Sequence, residues 1–288
     1  MKNETAAISA DIHGEKLYQQ RAREALPVLV RQAFSGKPIF YKQLADELGM
    51  QNPRNLNFVL GSVGKSLIDL GQKWSEKIPP IQCLVINRSE ELPGDGFGWF
   101  MKKSDWKSLS KRKKNEMINA VMHQIFAYPK WRTVLKSLGL DIADHDFSDV
   151  VKKASEFQGG GESNDHKALK EYVRCRPELF ALGKKTGPGL VEKGLPSGDR
   201  LDVFFDSGDE WVAVEVKSTR SNEVDIVRGL FQCVKYDAVL NAMIVTEQRD
   251  TKVRAVLVLE CSLPDALIPM KHMLGVEVLE NVSPRRNE

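Results

Sequence analysis

"LDVFFDSGDEWVAVEVKS", residues Leu201–Ser218, reads as two short strands with a turn between them. Side chains in a strand alternate between faces. Val212, Val214 and Val216 therefore share one face, and Trp211, Ala213, Glu215 and Lys217 share the other. Glu215 and Lys217 project together, and Asp202 joins them if the two strands are neighbours. Burying charges that lack partners costs several kcal/mol, so two carboxylates in one apolar hairpin need a reason. A divalent cation removes their repulsion. Hard oxygens suit Mg²⁺, with Mn²⁺ as a substitute, better than zinc. A lysine beside such an ion can orient a water or help deprotonate it. That combination fits hydrolysis of a phosphodiester. The competing reading of so short a pattern is an exposed edge hairpin with ordinary salt bridges.

The neighbouring segments add to the hairpin. "NEVDIVRGLFQCVKYDAVLNA" reads as a helix with Gln232 and Tyr236 four apart on one face, and Arg228 one turn earlier. The helical stretch before the hairpin, "ESNDHKALKEYVRCRPELF", begins with Glu162, followed by His166. After the long helix, "AMIVT" and "VRAVLVL" read as strands, Pro264 to His272 as a short helix and "GVEVLE" as a strand. Near-continuous apolar strands around a helix predict an α/β domain with a sheet covered on both faces.

The rest of the chain is organised differently. Residues 1–12 read as a tail, and Gly14 to Phe34 as a helix that Pro27 could kink. "YKQLADELG" is a short helix ended by Gly49, and a second helix follows from Asn52, a cap, with Pro53 in the first position. "PIQCLVIN" reads as a strand, "ELPGDG" as a turn and "FGWFM" as a second strand. Helix, turn, helix and hairpin make a winged helix-turn-helix. Helical pattern returns from Trp106 to Ala127 and in "PKWRTVLKSLG", and "QGGG" reads as a hinge. Between Met101 and Asn115 stand seven basic residues, Lys102, Lys103, Lys107, Lys111, Arg112, Lys113 and Lys114, against Asp105. Such a run suits a polyanion or a solvated helix face.

With 288 residues, 42% hydrophobic and 28% charged, the chain is long enough for two folded domains. No apolar run approaches the roughly 20 residues of a membrane span. The opening residues lack an apolar signal core, so a cytoplasmic protein without a membrane partner is expected. Cys83, Cys175, Cys233 and Cys261 form no C-x-x-C pair and are expected reduced. "GSVGKS" (Gly61–Ser66) resembles the end of a phosphate-binding loop, but Val59 stands where its first glycine belongs. The five histidines show no metal-binding spacing.

On these residues the C-terminal region, about 156–281, resembles the PD-(D/E)XK nuclease superfamily. The metal-binding aspartate of that family falls on Asp202, its (D/E)-x-K on Glu215-Val216-Lys217, and the Gln-x-x-x-Tyr of one branch on Gln232 and Tyr236. Its first-helix acid falls on Glu162, or on Glu171, and Glu192 is a further acid at the start of the meander. One departure is Leu201, rather than proline, before Asp202. The resemblance implies a restriction-endonuclease-like α/β domain with a central mixed sheet. It implies Mg²⁺ on Asp202, Glu215, the Val216 carbonyl and Glu162, a water positioned by Lys217, and orientation by Gln232 and Tyr236.

"FYKQLADELGM…NFVLGSV…IPPIQCLVINRSEELPGDGF" is similar to the DNA-binding domain of alkyltransferase-like proteins. Pro80-Ile81-Gln82-Cys83 replaces that family's Pro-Cys-His-Arg, so DNA docking is implied and alkyl transfer is not. Arg54, Asn55 and Asn57 would reach a groove, and Lys65, Lys111, Arg112, Lys113, Lys114 and Arg228 the phosphates. The expected organisation is a tail (1–12), a winged-helix domain (13–101), a basic helical connector (102–155), a nuclease domain (156–281) and a tail (282–288). The expected function is Mg²⁺-dependent DNA cleavage, with a homodimer left open. The alternative is a non-catalytic DNA-binding or damage-recognition protein on a nuclease-like fold.

Overall fold

The computed structural model describes residues 9–94, 108–143, 145–156, 163–183 and 185–284. The chain divides into two compact units, Met1–His145 and Asp146–Glu288. The division falls inside the span read from sequence as the basic connector. Among the described residues, no helix is long and apolar enough to cross a membrane.

The first unit is mainly helical: α1 (Leu17–Ser35), β1 (Ile39–Phe40), α2 (Tyr41–Glu47), α3 (Leu56–Trp74), β2 (Val85–Ile86), α4 (Lys111–Ala127) and α5 (Trp131–Ser137). The helix α1 continues through Pro27 and ends at Gly36, whose φ of 69° puts it in the left-handed region glycine favours. Asn52 caps as expected, its Oδ1 accepting from the Arg54 N–H at 3.0 Å. The turn it caps is one short 3-10 segment, Pro53–Asn55, ahead of α3. Leu26, Leu29, Val63, Ile81, Leu84 and Trp131 belong to one continuous core. Within it Arg31 forms a bidentate pair with Glu47 at 2.9 and 2.7 Å.

Two strand assignments are corrected. "PIQCLVIN" forms a 3-10 turn over Ile81–Leu84 and only then the two-residue β2, which pairs in parallel with β1. Ile81, Gln82, Cys83 and Leu84 are all buried, so no alternation exists there for a half-exposed strand, and Pro79-Pro80 offers no N–H to a ladder. "FGWFM", the other strand of the expected hairpin, lies outside the described residues, as do Lys102, Lys103 and Lys107.

The second unit contains α6 (Ser148–Glu156), α7 (Asn164–Arg174), β3 (Leu190–Gly194), β4 (Arg200–Asp206), β5 (Glu210–Lys217), α8 (Glu223–Thr246), β6 (Lys252–Leu259), α9 (Ile268–Leu274) and β7 (Glu277–Leu279). The five strands form one sheet in sequence order: β3, β4 and β5 antiparallel, then β6 and β7 parallel to β5. The molecule is thus mixed α/β. Parallel neighbours need a crossover, which α8 supplies between β5 and β6. "AMIVT" is the second correction. These residues are the last turns of α8, because Met243 and Ile244 continue its apolar stripe against Trp211 and Ala213.

The sheet is covered on both faces. Leu169 and Val173 of α7 pack on Val203, Val212, Val214 and Val216. Tyr236 and Leu240 of α8 pack on Leu201, Phe204, Trp211 and Ala213. The two faces of β5 are therefore those expected from alternation.

Thiol chemistry follows from this burial. Burial pushes the Cys83 and Cys233 thiols up, whereas Cys175 is exposed. Iodoacetamide on the folded chain is expected to alkylate Cys175 well before either. Mass spectrometry of the digest checks this; Cys83 reacting first would contradict the packing around Ile81–Leu84.

Candidate active site

The β4–β5 ladder ends at Val203–Val214, although β4 reaches back to Arg200 and β5 runs on to Lys217. At that fork the Val216 N–H donates to Asp202 Oδ2 at 2.9 Å instead of to a strand carbonyl. Strict alternation would put Leu201 and Val203 on one face. They enter opposite cores, Leu201 on the α8 side and Val203 on the α7 side. Asp202 sits at the crossover. Its strand neighbour Glu192 has φ 54°, a conformation a glutamate rarely adopts. The register on either side, Val191–Val203 and Lys193–Leu201, is unshifted, so the backbone twists without an inserted residue.

On the α8 face, Lys217 Nζ donates to Glu215 Oε1 at 2.7 Å and reaches Gln232 Oε1 at 3.5 Å. Gln232 Nε2 donates to the Tyr236 hydroxyl at 3.3 Å. Tyr236 has one proton and two acceptors in reach, Glu215 Oε2 at 3.0 Å and the Arg200 carbonyl at 3.1 Å. A charged acceptor makes the stronger bond, so Glu215 is its main partner. The four side chains named from sequence on this face form one hydrogen-bonded network.

From sequence, His166 is named only as following Glu162, without metal-binding spacing, and Lys170 is not singled out. Both stand on α7 four residues apart and reach Asp202 from the other side. His166 Nε2 lies 3.3 Å from Asp202 Oδ1, and Lys170 Nζ lies 3.6 Å from the same oxygen. Lys170 is buried and also pairs with Glu192. The i, i+4 spacing was the only available signal; that Lys170 is buried could not be read from it. Glu171 faces away and pairs with Arg174. Glu162 lies outside the described residues.

The two carboxylates differ electrostatically. Burial pushes Asp202 up, but the His166 bond and charge, the Val216 N–H and the Lys170 charge outweigh it and hold the carboxyl below its ordinary range. Burial, followed by the Asp202 charge, pushes Glu215 up, against the Lys217 ammonium and the Tyr236 hydroxyl. Burial and then the Glu215 charge also raise Tyr236, which stays a phenol donor.

No family model, no curated protein and no solved structure matches the chain.

The donor set fits a hard cation. Asp202 and Glu215 supply four oxygens, each with one hydrogen-bond partner or more, and a carboxylate oxygen has the lone pairs to accept a further contact. Among the described residues, no three His, Cys, Asp or Glu side chains gather as ligands. Two carboxylates and a backbone carbonyl resemble the sparse protein ligation usual for Mg²⁺, which keeps several waters.

Except for Arg228, which shares α8 with Gln232 and Tyr236, the residues assigned to DNA lie apart from this network in sequence. Arg54, Asn55 and Asn57 are exposed at the start of α3, and Lys65 pairs with Asp69 one turn on. Lys111, Arg112 and Lys113 are exposed in the first turn of α4, with Lys114 half-buried behind them and Arg112 paired with Glu116 at 2.9 Å. Arg228 lies 3.8 Å from Asp225 on α8.

Proposed function

We propose that this chain is a metal-dependent DNA nuclease of the PD-(D/E)XK kind, with a winged-helix-like first unit that docks DNA. The observation that carries the reading is the Asp202–Glu215–Lys217–Gln232–Tyr236 constellation at the fork between β4 and β5. Two carboxylates kept together in a largely buried site are unfavourable by themselves. Their retention alongside an ordered lysine suits a site built for a cation and a phosphate.

Asp202, Glu215 and the Val216 carbonyl would hold Mg²⁺, or Mn²⁺ in its place. The ion would supply positive charge for the phosphate oxygens and acidify water. Asp202 is kept ionised by its donors and fixed by the Val216 N–H. Lys217 Nζ is a positioned donor that turns from Glu215 to an attacking water and stabilises charge developing at phosphorus. Gln232 limits the range of that ammonium, and Tyr236 holds Glu215 Oε2 in place. Incubating the full chain with plasmid, linear, single-stranded and branched DNA in Mg²⁺ and in Mn²⁺ tests the reading. Absence of cutting on the whole panel overturns it.

The basic first turn of α4 gives a separate prediction. Cations at a helix N-terminus oppose the helix dipole, so exchanging Lys111, Arg112, Lys113 and Lys114 for glutamine leaves α4 folded. If they neutralise phosphates, the slope of log affinity against log salt becomes shallower by about 2–3, at roughly 0.9 per phosphate contact. Fluorescence anisotropy with Ca²⁺ in place of Mg²⁺ reads that slope. An unchanged slope means the run is a solvated helix face.

A further inference from the structure

Gly229 stands seven residues into α8, inside the helix and buried on its sheet-facing side. Glycine is disfavoured there relative to alanine, so the position calls for a reason in packing. A side-chain carbon at residue 229 would lie 2.8 Å from Leu257 Cδ1, 3.0 Å from Lys217 Cε and 3.5 Å from Lys217 Cγ. The first distance is shorter than real contacts allow, and the second is tight enough that the lysine stem must give way. The lysine stem thus lies in the space that any larger residue would fill. Gln232 and Cys233 lie one turn on, and Tyr236 a further turn, so the bare position belongs to the stripe of α8 that meets the site.

We infer that Gly229 is a positioning residue for Lys217, its missing side chain being the gap through which the lysine stem reaches Glu215 and Gln232. The inference rests on the reading of Lys217 as a working group of the proposed site. Leu257 is fully buried on β6 and Lys217 is confined at 11% side-chain exposure. With β6 closing one side, an added methyl at residue 229 moves the lysine, whose end is free to swing away from Glu215. The three atoms nearest to that methyl belong to Leu257 and Lys217 and not to Asp202, Glu215, Gln232 or Tyr236.

The test is a double-mutant cycle on the full chain. Urea unfolding is measured for wild type, Gly229→Ala, Lys217→Ala and the double variant, and initial DNA cleavage is measured on the first two. In the wild-type background, the crowding offsets the helix preference of alanine, and the unfolding constant stays within twofold. In the Lys217→Ala background the stem is absent and only Leu257 still crowds the position, with space beside it to shift into, so Gly229→Ala becomes at least about threefold more favourable in the folding equilibrium than in the wild-type background. Lys217→Met keeps a stem of similar reach, so in that background Gly229→Ala behaves as in wild type, which separates shape from charge. Gly229→Ala also lowers kcat by about tenfold with KM for DNA within twofold, as expected when a group acting in the transition state is displaced. Additive unfolding constants in the Lys217→Ala background overturn the inference, whether or not the protein cuts DNA. Coupling together with an unchanged kcat in an active enzyme overturns the positioning role. Coupling in a protein that cuts nothing removes the proposed function while leaving the Gly229–Lys217 packing intact.

Discussion

Replacing Lys217 with alanine is expected to lower the initial rate of DNA cleavage by about 10²-fold or more, the scale for losing one positioned catalytic group. Lys217 Nζ is held 2.7 Å from Glu215 Oε1 and 3.5 Å from Gln232 Oε1, so its charge has a defined place. The substitution keeps both carboxylates, and DNA affinity measured in Ca²⁺ should change little. Lys217→Arg should not restore the rate. A planar guanidinium presents its donors as a fork and cannot stand in for a compact ammonium at one water. Cleavage by Lys217→Ala at the wild-type rate would make Lys217 a structural partner of Glu215 and remove the main support for a nuclease.

Asp202→Asn is expected to have the larger effect, about 10³-fold in cleavage, corresponding to the several kcal/mol that a catalytic cation contributes. Asparagine keeps an oxygen for the Val216 N–H, so the fork between β4 and β5 persists while the charge is lost. Metal linkage gives a readout that does not need activity. A ligand that binds only the folded state, at 100 times its dissociation constant, stabilises by about 2.7 kcal/mol. At roughly 2–4 °C per kcal/mol for a chain of this size, saturating Mg²⁺ or Ca²⁺ should raise the wild-type Tm by several degrees. Asp202→Asn should show less than half that shift. The part of the shift due to Glu215 has a definite sign. Its pKa is raised in the folded metal-free protein, so that state binds the proton more tightly than the unfolded chain. Its contribution to stability is therefore lost as pH rises above the ordinary glutamate range, and a cation at neutral pH restores it. A Tm that ignores divalent ions in wild type would rule out the site as a metal centre.

Much of the α8 side of the site was legible. Alternation along "WVAVEVK" put Glu215 and Lys217 on one face, and four-residue spacing put Gln232 and Tyr236 on one face of a helix. Both are local periodicities, and the network among the four depends only on those faces meeting. The α7 side was not legible in this way. Asp202 was expected to join Glu215 through neighbouring strands, yet it leaves regular alternation and takes His166 and Lys170 as partners. At that turn the adjacent strand carries Glu192, ten residues earlier, whose backbone is left-handed.

By itself, the sequence determined the elements with a strong period: the Leu201–Ser218 hairpin, the helix α8 through its first five turns, the apolar strand β6 and the capped entry to α3. Each is set by interactions between residues a few positions apart. Only the tertiary structure decided that "AMIVT" is helix, since its β-branched residues suit a strand until Met243 and Ile244 find Trp211. Tertiary structure likewise decided that Ile81–Leu84 coils into a fully buried turn. It also decided that β4 and β5 part after Val203–Val214, where a side-chain carboxylate replaces a ladder bond. In all three places, packing partners far along the chain supply more free energy than the local preference they override.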